Sequence, residues 1–181
     1  VSVWDDGYGI SVPNEYHTTK GSISEILKGL QRNDDQKGYE IFVVKGWDYE
    51  SLDRAFENAA RIAREEHVPV LIHVVEVTQP QGHSTSGSHE RYKSAERLEW
   101  ERNWDCNKQM RQWLIQNELS TAADLDVLES TTKQEVRDDK QAAWELYIDP
   151  IKAKIKEASE LVFAGVDQAY PLYRMMQELL A

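Results

Sequence analysis

Three short apolar runs, each separated from the next by a helical stretch, constrain this chain most. "VSVW" occupies residues 1–4, "YEIFVVKG" residues 39–46 and "VLIHVVEV" residues 70–77. Runs of this length, rich in β-branched and aromatic side chains, read as buried strands. Between the first two lies "GSISEILKGLQR". Its Ser22 and Glu25 make an S-x-x-E capping box, and Ile23, Ile26, Leu27 and Leu30 share one helical face. Between the second and third, Asp48 can cap a helix whose apolar stripe is Leu52, Phe56, Ala59, Ala60 and Ala63. Strand, helix, strand, helix, strand predicts an α/β fold, a parallel sheet with helices on both faces.

The character changes after residue 77. "TQPQGHSTSGSHERYKS" is a long polar loop, and from about Ala95 the pattern is helical nearly to the end. Trp100, Trp104, Trp113, Leu114, Leu125, Leu128, Val136, Trp144 and Ile148 are expected on buried faces. Helix breaks are expected near Asn117 to Ala122 and at Asp149-Pro150. The expected organisation is an α/β part over residues 1–94 and a helical extension over 95–181 packed on the same domain.

Composition narrows the class of partner. A net charge of −11 leaves no basic stripe for a nucleic-acid backbone or an anionic membrane surface. A phosphorylated ligand stays open, because a divalent cation can bridge acid to phosphate. Cys106 is the single cysteine, so no internal disulfide forms and a reducing compartment is expected. No apolar run approaches the ~20 residues that cross a bilayer. No basic-then-apolar leader opens the chain. The cytoplasm is the expected location.

A parallel sheet binds its ligands beyond the carboxyl ends of its strands. Three unusual segments follow the three strands: Asp5-Asp6-Gly7-Tyr8, Gly46-Trp47-Asp48, and the loop from Thr78 to His89. All should share one edge. In the first, Gly7 can take a backbone conformation closed to other residues. The turn can then aim the Asp6 carboxylate and the Tyr8 carbonyl at one point, two hard oxygens of the kind Mg²⁺ prefers. A turn in which Asp5 or Asp6 only caps backbone amides is the alternative. In the third, His83 can hold a phosphate oxygen or move protons near neutral pH. A solvated loop histidine is the alternative there. His73 lies on a strand, Ser84 lacks a nucleophile elbow, and no phosphate loop, paired-cysteine zinc motif or H-E-x-x-H occurs.

With these residues in view, "VSVWDDGYGISVP" resembles the "V-x-x-N-N-x-Y-A-I-S-T-P" segment of the α subunit of thiamine-diphosphate-dependent 2-oxo acid dehydrogenases, of pyruvate or branched-chain (2-oxoisovalerate) type. "VVKGWD" resembles that family's "V-D-G-N-D", and "GHSTSGSHERYKS" its "G-H-x-S-x-S-D-D-x-x-x-Y-R-S" loop. Order and intervals agree from residue 1 to about residue 145. The family's Gly-Asp-Gly metal motif lies upstream of the strand that opens this chain. On the resemblance the chain is the rear part of a cofactor-binding domain, from an α subunit or a fused α/β chain.

The resemblance implies roles. Asp6 and the Tyr8 carbonyl fall where Mg²⁺ is bound, and Mg²⁺ carries the diphosphate of thiamine diphosphate. Gly7 shapes that turn. His83 falls on the loop histidine at the diphosphate and reacting centre. Trp4 stands where branched-chain members often carry an arginine against the diphosphate. Asp in place of Asn at position 6 adds negative charge. Gly87 and Ser88 replace two loop acids, and Ser84 and Ser94 match serines phosphorylated in some members. The implied activity is oxidative decarboxylation of a 2-oxo acid, with a lean to branched-chain acids, and acyl transfer to a lipoyl-bearing acyltransferase. A β subunit or fused β half would complete the site, so the 181 residues alone are expected to be inactive. The rival readings are a receiver-type Mg²⁺/phosphoacceptor module and a non-catalytic interaction domain.

Overall fold

The expected alternation is present in a computed structural model that describes residues 1–84, 88–165 and 175. The strands are β1 (Ser2–Trp4), β2 (Tyr8–Gly9), β3 (Val12–Pro13), β4 (Glu40–Lys45) and β5 (Val70–Val75). The α-helices are α1 (Asn14–His17), α2 (Ile23–Leu27), α3 (Tyr49–Arg61), α4 (Ala95–Asn103), α5 (Cys106–Gln116) and α6 (Ala122–Ala164). The main sheet has the order β1-β5-β4, and both pairings are parallel. Val74 lies opposite Trp4 on one side and Val44 on the other. β2 and β3 form a separate antiparallel hairpin.

The central position of β5 accounts for its unbroken apolar run, since Leu71, Ile72, His73 and Val74 are all buried. Ile72 and Val74 face α3 and pack with Ala59, ringed by Phe42, Val44, Leu52, Val70 and Val77. The α3 helix starts where expected: Asp48 accepts from the Ser51 amide at 3.1 Å and from its hydroxyl at 2.7 Å. Its buried line is Ala55 and Ala59, continued by Ile62 of the π-helical turn Ile62–Glu66, while Phe56 and Ala63 of the expected stripe are exposed.

Three buried elements of the expectation need correction: β4 is an edge strand with no buried residue, and β1 and α2 differ as well. β1 pairs on one side only and is an edge strand, with Val1 89% and Trp4 56% exposed. α2 has its capping contact, a long 3.5 Å bond from the Glu25 amide to Ser22. However, it ends after five residues and tightens into a 3₁₀ turn over Lys28–Leu30. The 3.6-residue stripe therefore has no length over which to repeat. Ile26 and Leu30 are exposed, and Ser24 is the buried residue. The second sheet face is only partly covered, and Val43 on it is exposed.

The helical region begins at Ala95 as expected. Ser94 caps α4 by accepting from the Arg97 amide, and Asp105 caps α5 by accepting from the Lys108 amide. The break at Trp104 and Asp105 was not expected; the one after Asn117 was. The break at Asp149-Pro150 does not occur, because α6 runs through Pro150. Proline frees the carbonyl four residues earlier, and Leu146 is 80% exposed, so water can take that bond. Leu128, Val136 and Trp144 are likewise exposed rather than buried.

The chain divides into two compact units, Val1–Ala122 and Ala123–Ala181. The sheet, α4 and α5 belong to the first. Among the described residues no helix is long and apolar enough to cross a membrane. Gly87 and most of the tail after Gly165 lie outside the described residues.

Candidate functional site

Parallel pairing puts the three loop segments on one edge, beyond the carboxyl ends of β1, β4 and β5. The bend after β1 is bound directly to the end of β5. The Asp5 amide donates to the Val74 carbonyl at 2.8 Å, and the Asp5 carbonyl accepts from the Val77 amide at 3.1 Å. The two segments that carry Asp6 and His83 therefore leave the sheet side by side.

Asp5 is the lock of this bend. Its Oδ1 accepts from the Gly7 amide at 2.7 Å, and the Asn14 side-chain amide reaches both carboxylate oxygens, at 2.7 and 2.8 Å. Oδ2 also meets His73 Nε2 at 3.0 Å. Burial alone pushes this carboxyl up. The bonds from Asn14, Gly7 and His73 outweigh it and hold Asp5 below the usual carboxylate range. Behind it, His73 Nδ1 meets Ser24 Oγ at 2.9 Å, and Ser24 meets Ser22 Oγ at 3.0 Å. Both ring nitrogens of His73 thus have a partner. The series Ser24–His73–Asp5 has the connectivity of a hydrolytic triad. But Ser24 is buried and the Asp5 oxygens are already taken, so the series ties α2, β5 and the bend together.

The bend then presents its oxygens outward. Gly7 sits at φ +85°, a conformation that favours glycine. Asp6 Oδ1 accepts from the Tyr8 amide at 3.0 Å. The Gly7 carbonyl accepts from the Asn14 amide at 3.0 Å, so the Gly7–Asn14 pair is hydrogen-bonded. Antiparallel ladders alternate, so the next pair, Tyr8 opposite Pro13, turns its backbone groups away from the partner strand. Proline has no N–H to give in any case. The Tyr8 carbonyl thus opens on the edge where the Asp6 carboxylate caps the Tyr8 amide. Capping and ligation, alternatives on sequence alone, are compatible here, because Asp6 spends one oxygen on the turn. The pair offers two hard oxygens to a cation. Among the described residues no three His, Cys, Asp or Glu side chains gather as metal ligands. A cation at the bend would draw one carboxylate and one carbonyl from this chain, and the rest of its shell from its ligand and water.

The segment after the histidine loop returns to the bend. The Tyr8 ring lies 5.8 Å from the Tyr92 ring, with Lys93 Nζ at 5.1 Å and the Arg97 guanidinium at 5.4 Å. Arg97 Nη2 donates to the Asp6 carbonyl at 2.6 Å, and its Nε to Glu101 Oε1 at 2.8 Å. Lys93 Nζ donates to both Glu101 oxygens, at 2.8 and 3.0 Å, and both side chains are 1% exposed. Sequence reasoning missed Arg97 and Glu101. Their i,i+4 spacing after the Ser94 cap was the local signal available; nothing local points to Asp6.

The remaining expected residues stand as follows. His83 is exposed on the loop and, among the described residues, makes no hydrogen bond to the bend. Gly82, at φ +70°, lets the loop lie against buried His89: a Cβ there would come within 2.7 Å of it. His89 Nδ1 is buried without a hydrogen-bond partner among the described residues. Trp4 stacks on Phe56 of α3 at 6.2 Å and gives its Nε1 proton to Ser2, away from the bend's hydrogen bonds. The segment after β4 is structural. Asp48 caps α3, while Trp47 packs on Trp104 at 4.3 Å and donates to Glu76 at 2.7 Å. Cys106 is held against Thr78, whose hydroxyl lies 3.4 Å from the sulfur.

Comparison with known proteins adds a family. A family model described as "Dehydrogenase E1 component" matches residues 3–151. The chain is similar to the "Pyruvate dehydrogenase E1 component subunit alpha" of Rickettsia bellii (strain RML369-C), with 27% identity over 126 residues, 69% of this chain and 38% of the relative. It is similar to the protein of the same name from Rickettsia felis (strain ATCC VR-1525 / URRWXCal2), with 28% identity over the same coverage. The chain thus spans 38% of the length of these curated relatives. No solved structure matches it.

Proposed function

The chain belongs to the dehydrogenase E1 component family, and from that premise we propose that it forms the diphosphate-binding part of a 2-oxo acid dehydrogenase. The observation that carries this reading is the bend after β1. Asp5 spends its carboxylate on holding the turn, and this frees an Asp6 oxygen and the Tyr8 carbonyl for a hard cation at the carboxyl edge of the sheet. Asp6 and Tyr8 would hold Mg²⁺, and through it the diphosphate of thiamine diphosphate. Gly7 keeps a side chain out of the turn. When bound, that cofactor supplies the carbon nucleophile and electron sink for decarboxylation. His83, exposed on the adjoining loop, would donate to a diphosphate oxygen or meet an incoming carrier. Trp4 lines the α3 side, and we assign it at most a distant contact.

The parent activity proposed is oxidative decarboxylation of a 2-oxo acid with acyl transfer to a lipoyl-bearing acyltransferase, the cofactor's far end being completed by a β subunit or fused β half. The relatives' name favours pyruvate as substrate. It lends nothing to the branched-chain acids expected from the first and third motifs. The test is Asp6→Ala in the full-length gene product. Mg²⁺-dependent binding of thiamine diphosphate weakens by about tenfold or more, at least what the loss of a hydrogen-bond partner behind a metal ligand costs. An unchanged affinity in a calorimetric titration removes Asp6 from the site.

A further inference from the structure

We propose that Arg97 is a diphosphate-binding residue, its guanidinium supplying the positive charge that a diphosphate meets at the Asp6–Tyr8 bend. The inference rests on the cofactor reading above. Geometry places the group. Nη2 is fixed to the Asp6 carbonyl at 2.6 Å, across 91 positions of sequence. Gly7 carries no side chain, and a Cβ built on it would lie 3.6 Å from Nη1. Nη1 therefore sits against the open side of the turn.

Preorganisation comes next. Nε is tied to Glu101, and the guanidinium lies over the Tyr8 ring and, at 4.8 Å, over the Trp100 ring. Two sites of the donor fork are thus occupied within the protein. Nη1 has no hydrogen-bond partner among the described residues. A guanidinium fixed in this way loses little rotamer freedom when an oxyanion arrives.

Charge completes the case. Lys93 already binds both oxygens of Glu101, and both side chains are sealed from water. Two cations thus share one carboxylate, and of the three side chains only that of Arg97 reaches solvent, at 26% exposed. An acidic chain with no basic stripe has placed an arginine that shares its counter-ion with Lys93 beside the two oxygens that would hold Mg²⁺. Cation, arginine and diphosphate would then balance one another.

The experiment uses the full-length gene product and Mg²⁺–pyrophosphate, which carries the diphosphate without the thiazolium. With Mg²⁺ saturating, Arg97→Gln weakens pyrophosphate binding about tenfold to a hundredfold, the value of one charge-assisted hydrogen bond. Arg97→Lys keeps the charge but not the fork and falls between Arg97→Gln and the unmodified protein. The unfolding temperature of the ligand-free protein falls, because the bonds to Glu101 and the Asp6 carbonyl are lost, while the Mg²⁺ half-saturation at saturating pyrophosphate, read well below that temperature, stays unchanged. An Arg97→Gln protein that binds pyrophosphate as tightly as the unmodified one overturns the proposal. So does a loss in which Mg²⁺ half-saturation shifts by the same factor, since that marks a distorted bend rather than a missing contact. If the unmodified protein binds neither Mg²⁺–pyrophosphate nor Mg²⁺–thiamine diphosphate, the cofactor reading itself falls.

Discussion

Asp5 receives three donor groups on two oxygens, from Gly7, Asn14 and His73, and holds the turn from which Asp6 and Tyr8 project. Asn14 is nine residues away and His73 sixty-eight. That separation is why the paired acids were legible in the sequence while their division of labour was not. A carboxylate next to a strand end is a local pattern; which of two neighbours faces inward depends on the strand that comes to lie beside it. The bonded arrangement has a consequence in pH. A carboxyl held below its ordinary range in the fold contributes stability that is complete above the unfolded value of about 4 and fades as pH falls through the lower native value. Unfolding experiments between pH 5 and pH 2 should therefore show a steep acid limb that is shallower in Asp5→Asn. At neutral pH that substitution sets an amide N–H against the Asn14 donor and costs about 1–3 kcal/mol. An acid limb of equal steepness in both proteins removes Asp5 as its source.

Helix ends were legible where one residue decides them. Asp48 caps α3 with both of its oxygens, and Ser22 opens α2 as its S-x-x-E pattern indicates. Asp48→Ala should cost about 1 kcal/mol, seen as a lower denaturant midpoint with an unchanged slope. A midpoint that does not move would show that packing of Leu52 and Ala59 carries α3 without its cap. Faces were less legible than ends. In α2 the apolar residues repeat at helical spacing, yet a turn and a half of helix gives the pattern too little length, and His73 draws Ser24 inward instead. In α6 a proline reads as a stop because its cost is counted for a buried helix; the exposed Leu146 carbonyl changes that count. The contact of Arg97 with Asp6 had no local signal, for α4 and the bend meet only after the sheet has formed.

At the scale of the molecule, the alternation of strands and crossovers gave the class and the edge on which the loops gather, and the relatives match it over most of that stretch. It did not give the strand order. Under the proposed function the Asp6–Tyr8 bend would meet only the diphosphate end of a cofactor. The 181-residue chain by itself should therefore show no turnover of pyruvate or branched-chain 2-oxo acids with an artificial electron acceptor. Measurable reduction of the acceptor would show that it holds a complete centre.

The order β1-β5-β4 also sets a schedule for biosynthesis. Among the described residues β1 and β4 pair with β5 and not with one another, so these two pairings form only once residues 70–75 have cleared the ribosome. Until then the Asp5 lock lacks His73, so the turn that carries Asp6 and Tyr8 gains its last bond only after β5 has been made.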